Sequence, residues 1–319
     1  MQLIICLILM TVIGGLTPIG ARMAVDEIPP MFAAWIRFGV AGLLLLATMR
    51  ARGQKLALTR RDYLPLLVIS ALCVPINQVG FLGGVKLANA SHAALFYALT
   101  PVLVFWGSVI ARKSSFSGIM LVSAFLAFTG AACVLYPSLK VSLASDAEWS
   151  NKLLGDFLLM LAVTSWAAFV ITSKSFLQEY GALRALTAVF LLGAAIHTPF
   201  GLWSLMSFDV SGLTWEGVAG MLFITCVSSY LGYLLTYMVI AKHDATRAMI
   251  IVNAHFLITL LVERVFFKVP LTVYFFIGTV FIVMAIAIDI FRTGIKPLPP
   301  PPPPLLPIIT DPESQPGTA

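Results

Sequence analysis

Residues Met249–Glu263 read MIIVNAHFLITLLVE, an apolar run with an amide and an imidazole at its centre. His255, Thr259 and Glu263 recur at i, i+4 and i+8, which is one face of a helix. Asn253 lies about 160° around that helix from His255 and is expected to bond a neighbouring helix. A histidine in a low-dielectric path can change charge near neutral pH. His255 is therefore a candidate to touch a bound molecule and to take up a proton, with a structural hydrogen bond between helices as the alternative.

Other apolar runs carry similar groups. Asn77 and Gln78 are adjacent, just after Pro75 and one turn before Phe81. Pro75 has no N–H, so a kink is expected there, and the amides then address either freed carbonyls or a ligand. Ser229, Tyr233, Thr236 and Tyr237 form a stripe at helical spacing, Tyr97, Thr100 and Pro101 a second, and Trp166 sits in the middle of its run. Aromatic faces with a few hydrogen-bonding groups suit a cavity for an amphipathic organic molecule. A place in the interfacial aromatic belt is the competing reading, and it fits Tyr237 better than Tyr233. The candidate substrate contacts are thus Asn77, Gln78, Phe81, Tyr97, Thr100, Trp166, Ser229, Tyr233, His255 and Thr259. Arg37, Pro101 and Asn253 are assigned structural roles. Arg37 is expected to snorkel outward or to pair with Asp26 or Glu27, and Pro101, like Pro18, Pro75 and Pro199, to bend its helix.

Covalent and metal chemistry find no support. There is no G-x-S-x-G, no H-E-x-x-H, no aspartate pair within an apolar run and no P-loop. His92, His197, His243 and His255 are scattered. Cys6, Cys73, Cys133 and Cys226 each lie inside an apolar run with no C-x-x-C pair, as small packing residues do. No enzyme activity, catalytic residue, metal site or cofactor is expected.

The elements that carry these residues follow from composition. The chain is 60% hydrophobic and 11% charged, with a mean hydropathy of +0.97. That leaves too little polar surface to cover a water-exposed globule, so the expected solvent is a bilayer. Apolar runs of spanning length occupy 3–21, 31–49, 63–85, 90–111, 116–136, 153–173, 183–206, 213–241, 245–267 and 271–291. The first lacks the basic flank and cleavage site of a signal peptide. The period-2 alternation of a membrane barrel is missing. The expected fold is an all-α membrane protein of ten transmembrane helices.

With the N-terminus cytoplasmic, thirteen Lys and Arg residues of the loops fall on the cytoplasmic side (Arg50, Arg52, Lys55, Arg60, Arg61, Arg112, Lys113, Lys174, Arg184, Lys242, Arg247, Arg292, Lys296). Six fall outside (Arg22, Lys86, Lys140, Lys152, Arg264, Lys268). This bias places both termini in the cytoplasm. The net charge of +6 is therefore mostly topology, and its scatter over separate loops gives no reason to expect a nucleic-acid partner.

The polar stretch 137–152 divides the helices five and five. Five is odd, so related halves would form an inverted repeat. ASHAALFYALTPVLVFWGSVIARKSSFS (90–117) aligns without gaps on ATRAMIIVNAHFLITLLVERVFFKVPLT (245–272). The division is then 1–137 and 153–292 as the two five-helix repeats, 138–152 as their connection, and 293–319 as a disordered Pro-rich cytoplasmic tail.

Two stretches carry a family resemblance. GGLTPIGARMAVDEIPPMFAAWIRFGVAGLLLL (14–46) is similar to the opening helix pair of the drug/metabolite transporter superfamily, EamA-like family, with its arginine at Arg37. GVKLANASHAALFYALTPVLVFWGSVIA (84–111) resembles that family's fourth helix, with its proline at Pro101. The resemblance covers about residues 1–292. Two features depart from it: the turns ARKSSFS and FFKVPLT lack the family's glutamate, and the neighbourhood of His255 replaces a second proline. The resemblance implies a secondary transporter, expected to export small metabolites such as amino acids or amphipathic drugs by alternating access. Proton coupling at His255 is expected from that residue's own chemistry and not from the resemblance. The alternative is a membrane scaffold or receptor that docks partners through the tail. Expected partners are membrane lipids and a small-molecule substrate, with a homodimer left open. The expected location is the cell membrane, which in a bacterium is the inner one.

Overall fold

Backbone N–H and C=O groups in hydrocarbon must be satisfied within the segment, which an apolar run achieves by becoming helical. The computed structural model describes residues 2–56, 58–88, 90–113, 115–144, 149–240, 255, 258, 262 and 272–293, and every regular element among them is a helix. In chain order these are α1 (Gln2–Glu27), α2 (Pro30–Ala51), α3 (Tyr63–Ala71), α4 (Asn77–Leu87), α5 (Ala90–Ala98), α6 (Thr100–Ile110), α7 (Gly118–Ala144), α8 (Trp149–Tyr180), α9 (Ala182–Leu205), α10 (Trp215–Leu222), α11 (Tyr233–Ile240) and α12 (Val273–Thr293).

Among the described residues, seven helical stretches are long and apolar enough to cross a membrane: Ile8–Glu27, Pro30–Ala51, Arg60–Leu87, His92–Ile110, Asn151–Tyr180, Ala182–Leu205 and Trp215–Met238. Shorter apolar segments, Gly118–Cys133 and Phe276–Ala285, lie in α7 and α12. The expected span 245–267 falls outside the described residues except for His255, Ile258 and Val262. So does the whole tail from 294 onward. The polar stretch 137–152 is more helical than a loop, because α7 runs on to Ala144 and α8 begins at Trp149.

Three spans are interrupted. α3 passes into α4 through a π turn, Leu72–Ile76, that contains Pro75. The proline removes one donor and displaces a carbonyl, and the wider turn absorbs that fault without ending the helix. From α8, Ser165 Oγ donates to the Leu72 carbonyl at 2.7 Å. α10 passes into α11 through a longer π segment, Phe223–Gly232. The third break separates α5 from α6 at Leu99, with Pro101 in the first turn of α6. There the Thr100 hydroxyl donates to the Tyr97 carbonyl at 2.6 Å. The run 90–111 is therefore two segments rather than one rod.

Lipid offers no hydrophobic drive between helices, so close backbone approach at small residues takes its place. α7 packs against α12, α2 against α9, α4 against α8, and α1 against α10. Gly80 and Gly84 meet α8 so closely that a Cβ on Gly80 would lie 2.5 Å from the Leu158 carbonyl oxygen. A Cβ on Gly220 would lie 2.8 Å from the Gly20 oxygen, and one on Gly130 2.7 Å from the Gly278 oxygen. Gly83, by contrast, meets only the end of the Leu158 side chain, at 3.3 Å. Gly80→Ala is therefore expected to destabilise by about 1–3 kcal/mol, as overpacking against rigid backbone does, while Gly83→Ala is near neutral. Thermal unfolding of the two purified variants checks this, and equal midpoints would refute the close crossing.

Candidate functional site

The interrupted spans converge on one cavity of about 150 Å³. Gly14, Thr17 and Pro18 of α1 line it, with Arg37 of α2 and Asn77, Gln78 and Phe81 of α4. Ala93, Ala94 and Tyr97 of α5, Thr100 of α6 and Trp166 of α8 add further walls. Ser228 of the π segment, Tyr233 and Thr236 of α11, and His255 complete them. Glycine brings α1 up to the histidine. A Cβ on Gly14 would lie 3.3 Å from the His255 Cβ, and one on Gly15 2.6 Å from its carbonyl oxygen.

Among the described lining residues Arg37 is the only Lys, Arg, Asp or Glu, and it is 2% exposed. Its Nε donates to Ser229 Oγ (2.5 Å) and to the Ile224 carbonyl (3.2 Å). Nη1 donates to Gln78 Oε1 (3.1 Å) and Nη2 to Ser228 Oγ (3.1 Å). The guanidinium carbon lies 5.1 Å from the Phe38 ring centroid. Gln78 is oriented in turn, because its Nε2 donates to Asn77 Oδ1 at 2.5 Å. Asn77 Nδ2 donates to Tyr97 O–H (2.9 Å) and to the Ala162 carbonyl (2.8 Å), tying α4 to α5 and α8. Thr17 of α1 donates to Ser228 Oγ at 3.0 Å.

The rest of the wall is aromatic. Tyr97 meets Phe81 edge-on with centroids 5.5 Å apart, and Trp166 meets Tyr233 in the same way at 5.5 Å. Behind Tyr233 and Trp166 stand Phe38, Phe169, Phe190 and Tyr237, all fully buried, which close this side of the cavity. Such a site can hold a small molecule by one polar end and pack its apolar body. Among the described residues no group of three His, Cys, Asp or Glu side chains could hold a metal ion.

Of the residues singled out from sequence, Asn77, Gln78, Phe81, Tyr97, Thr100, Trp166, Tyr233 and His255 stand around this cavity. Ser229 does not line it. It is fully buried against Arg37, and its neighbour Ser228 faces in. The expected stripe assumed α-helical spacing, whereas the π segment turns less per residue and shifts the register. Asn253, Thr259 and Glu263 lie outside the described residues.

Arg37 neither snorkels nor pairs with the preceding loop. Asp26 pairs with Arg22 at 2.9 Å, and Glu27 accepts from the Thr214 amide at 2.8 Å. Tyr237 is in the core rather than in an interfacial belt. Thr17, Ala93, Ala94 and Ser228 escaped the sequence reading. Thr17 had one signal, its place directly before a mid-helix proline, whereas two alanines in an apolar run have none.

Residues 1–136 and 153–290 each match the EamA-like transporter family. Among curated proteins, the uncharacterized transporter YetK of Bacillus subtilis is 24% identical over 285 residues, which is 89% of this chain and 84% of that one. An uncharacterized transporter of Archaeoglobus fulgidus is 23% identical over 89% of this chain and 97% of its own. A solved crystal structure shares the fold at a TM-score of 0.72 and 14% identity, over 91% of this chain and 98% of that one.

The polar relay around Asn77 makes a checkable statement. Asn77→Ala strips partners from Tyr97, Gln78 and the Ala162 carbonyl at once, and is expected to cost about 1–3 kcal/mol. Tyr97→Phe removes one bond and is expected to cost about 0.6 kcal/mol. Unfolding midpoints in one detergent give the order, and a Tyr97→Phe effect as large as that of Asn77→Ala would contradict it.

Proposed function

This chain belongs to the EamA-like transporter family, and we propose that it is a secondary transporter, exporting small organic metabolites by alternating access. As a family member it is a multi-pass membrane protein and a transporter of small molecules. The observation that carries the finer reading is the cavity itself, where interrupted helices from both halves meet around one polar group and an aromatic wall.

Ten spans in two inverted repeats, with both termini cytoplasmic, account for the packing. Counted as spans, the close pairs are second with seventh, fifth with tenth, third with sixth, and first with eighth. Exchanging each span for the one five places along returns the same set of pairs. The two π segments fall in the third and eighth spans, which that exchange also relates. The separate family match of each half supports the same reading. A pseudo-two-fold of this kind lets one bundle rock against the other around a fixed site. In this topology the cluster of Phe169, Phe190 and Tyr237 lies on the cytoplasmic side of the cavity.

His255 lines the cavity with Arg37, Tyr97 and Tyr233, and we assign it the coupling proton. The scaffold reading finds less support, since it leaves a polar cavity in mid-span without a purpose. Proteoliposomes loaded with a pH-sensitive dye, challenged with pooled amino acids and then other metabolite classes, test the transporter reading. A substrate-triggered pH change absent from empty vesicles is expected, and it should survive deletion of residues 297–319, whereas loss on deletion favours the scaffold. His255→Gln is expected to flatten the dependence of flux on pH between about 5 and 8 while leaving the protein folded. An unchanged profile removes His255 from the coupling role.

A further inference from the structure

Arg37 is a full charge buried within the second span, and every acceptor it has among the described residues is neutral. Charged side chains inside a membrane are costly and usually pair with an opposite charge. Arg37 forms no ion pair among the described residues. The described carboxylates that could have served are engaged elsewhere: Asp26 by Arg22, Glu27 by Thr214, Asp62 by Thr59 and Tyr180, and Asp156 by His92.

The guanidinium carries five N–H donors. Nε uses its one, and Nη1 and Nη2 each direct one to a protein acceptor, so each Nη keeps a second N–H without an acceptor among the described residues. Those nitrogens belong to a residue that lines the cavity. The cavity thus presents a fixed positive charge and spare donors in a planar fork, surrounded by Phe81, Tyr97, Trp166 and Tyr233.

We propose that Arg37 is the anion-binding group of the substrate site, and that the substrate is a small organic carboxylate with an apolar or aromatic body. The inference rests on the transporter reading and narrows it. A carboxylate accepts two parallel N–H bonds from a guanidinium and supplies the missing counter-charge. The apolar body packs on the aromatic wall. A cationic amphiphile would meet an uncompensated positive charge and no carboxylate among the described lining residues, so the site selects against cations by repulsion as well as for anions by attraction. Gln78, Ser228 and Ser229 hold the fork in place and act as positioning residues.

The test uses the full-length protein and matched probes that differ only in the polar end: 3-phenylpropionate, 3-phenylpropylamine and 3-phenylpropanol, with acetate and indole-3-propionate and their amine and alcohol counterparts as further bodies. Binding is read as the shift in thermal unfolding midpoint with probe concentration, and flux as counterflow in proteoliposomes. Carboxylates are expected to bind at least about tenfold more tightly than the matched amine and alcohol, as a hydrogen-bonded charge pair requires. Arg37→Lys, which keeps the charge and loses the fork, should weaken the carboxylate at least about tenfold. Arg37→Met should abolish the preference among the three ends. Equal or tighter binding of the amine or alcohol overturns the inference, as does a folded Arg37→Met protein that keeps its carboxylate preference. If Arg37→Met does not fold, the wild-type contrast decides alone. Transport of amines or alcohols without carboxylates removes the anion assignment and leaves the transporter reading standing. Failure of every probe to bind or move removes the anion assignment, and the dye-loaded vesicles challenged with other metabolite classes then decide the transporter reading by themselves.

Discussion

The structure is organised around the solvation of one charge. Arg37 sits inside the helical bundle at 2% exposure, and hydrocarbon offers a guanidinium nothing. Its donors are met instead by Gln78 from α4 and by Ser228, Ser229 and the Ile224 carbonyl from the π segment after α10. One residue of α2 therefore fixes where a helix of the first half and a helix of the second half stand. Each acceptor is positioned by a further bond or by helix geometry, so the constraint spreads from Arg37 through Gln78 and Asn77 to Tyr97 and the Ala162 carbonyl.

The irregular backbone serves the same centre. In a regular α-helix each interior carbonyl already accepts one bond from its own helix, so a neighbour reaches only its second lone pair. Within the π segment Phe223–Gly232, the Ile224 oxygen accepts from Arg37. Pro75 opens the helix before Asn77, and Ser165 takes up the Leu72 carbonyl, while the amides of Asn77 and Gln78 are committed to the relay that joins Arg37, Tyr97 and the Ala162 carbonyl. Close glycine crossings at Gly80 and Gly84 then hold α4 against α8, which carries Trp166 to the opposite wall. Helices that are both locally loosened and tightly docked are what a rocking bundle needs.

Much of this was legible in the sequence, for physical reasons that can be named. A polar side chain in an apolar run is expensive, so Asn77, Gln78, Tyr97, Trp166, Tyr233 and His255 announced themselves by residue type alone. Pro75 and Pro101 marked two of the three interruptions because their chemistry is local. The longer π segment has no proline, and nothing in FITCVSSYLG distinguishes it from ordinary helix. That is why the stripe drawn through Ser229 missed by one residue. Ala93 and Ala94 carry no mark of any kind. They line the cavity from α5, which ends at Ala98 before the break at Leu99, and their place there is a fact of three-dimensional packing.

The sequence by itself determined the solvent, the helical class and the inventory of polar groups, because hydrocarbon penalises each residue separately and that penalty is written in composition and run length. It also determined that Arg37 was a charge out of place. Tertiary structure alone decided what that charge does. From the sequence, the nearest carboxylates are Asp26 and Glu27, and pairing by proximity along the chain gives Arg37 a structural role. In the folded chain those acids turn to Arg22 and Thr214. Arg37 meets groups 41 to 192 residues away, all neutral. Long-range packing chooses partners that chain distance cannot, and it left this arginine with a cavity where a counter-ion would otherwise be.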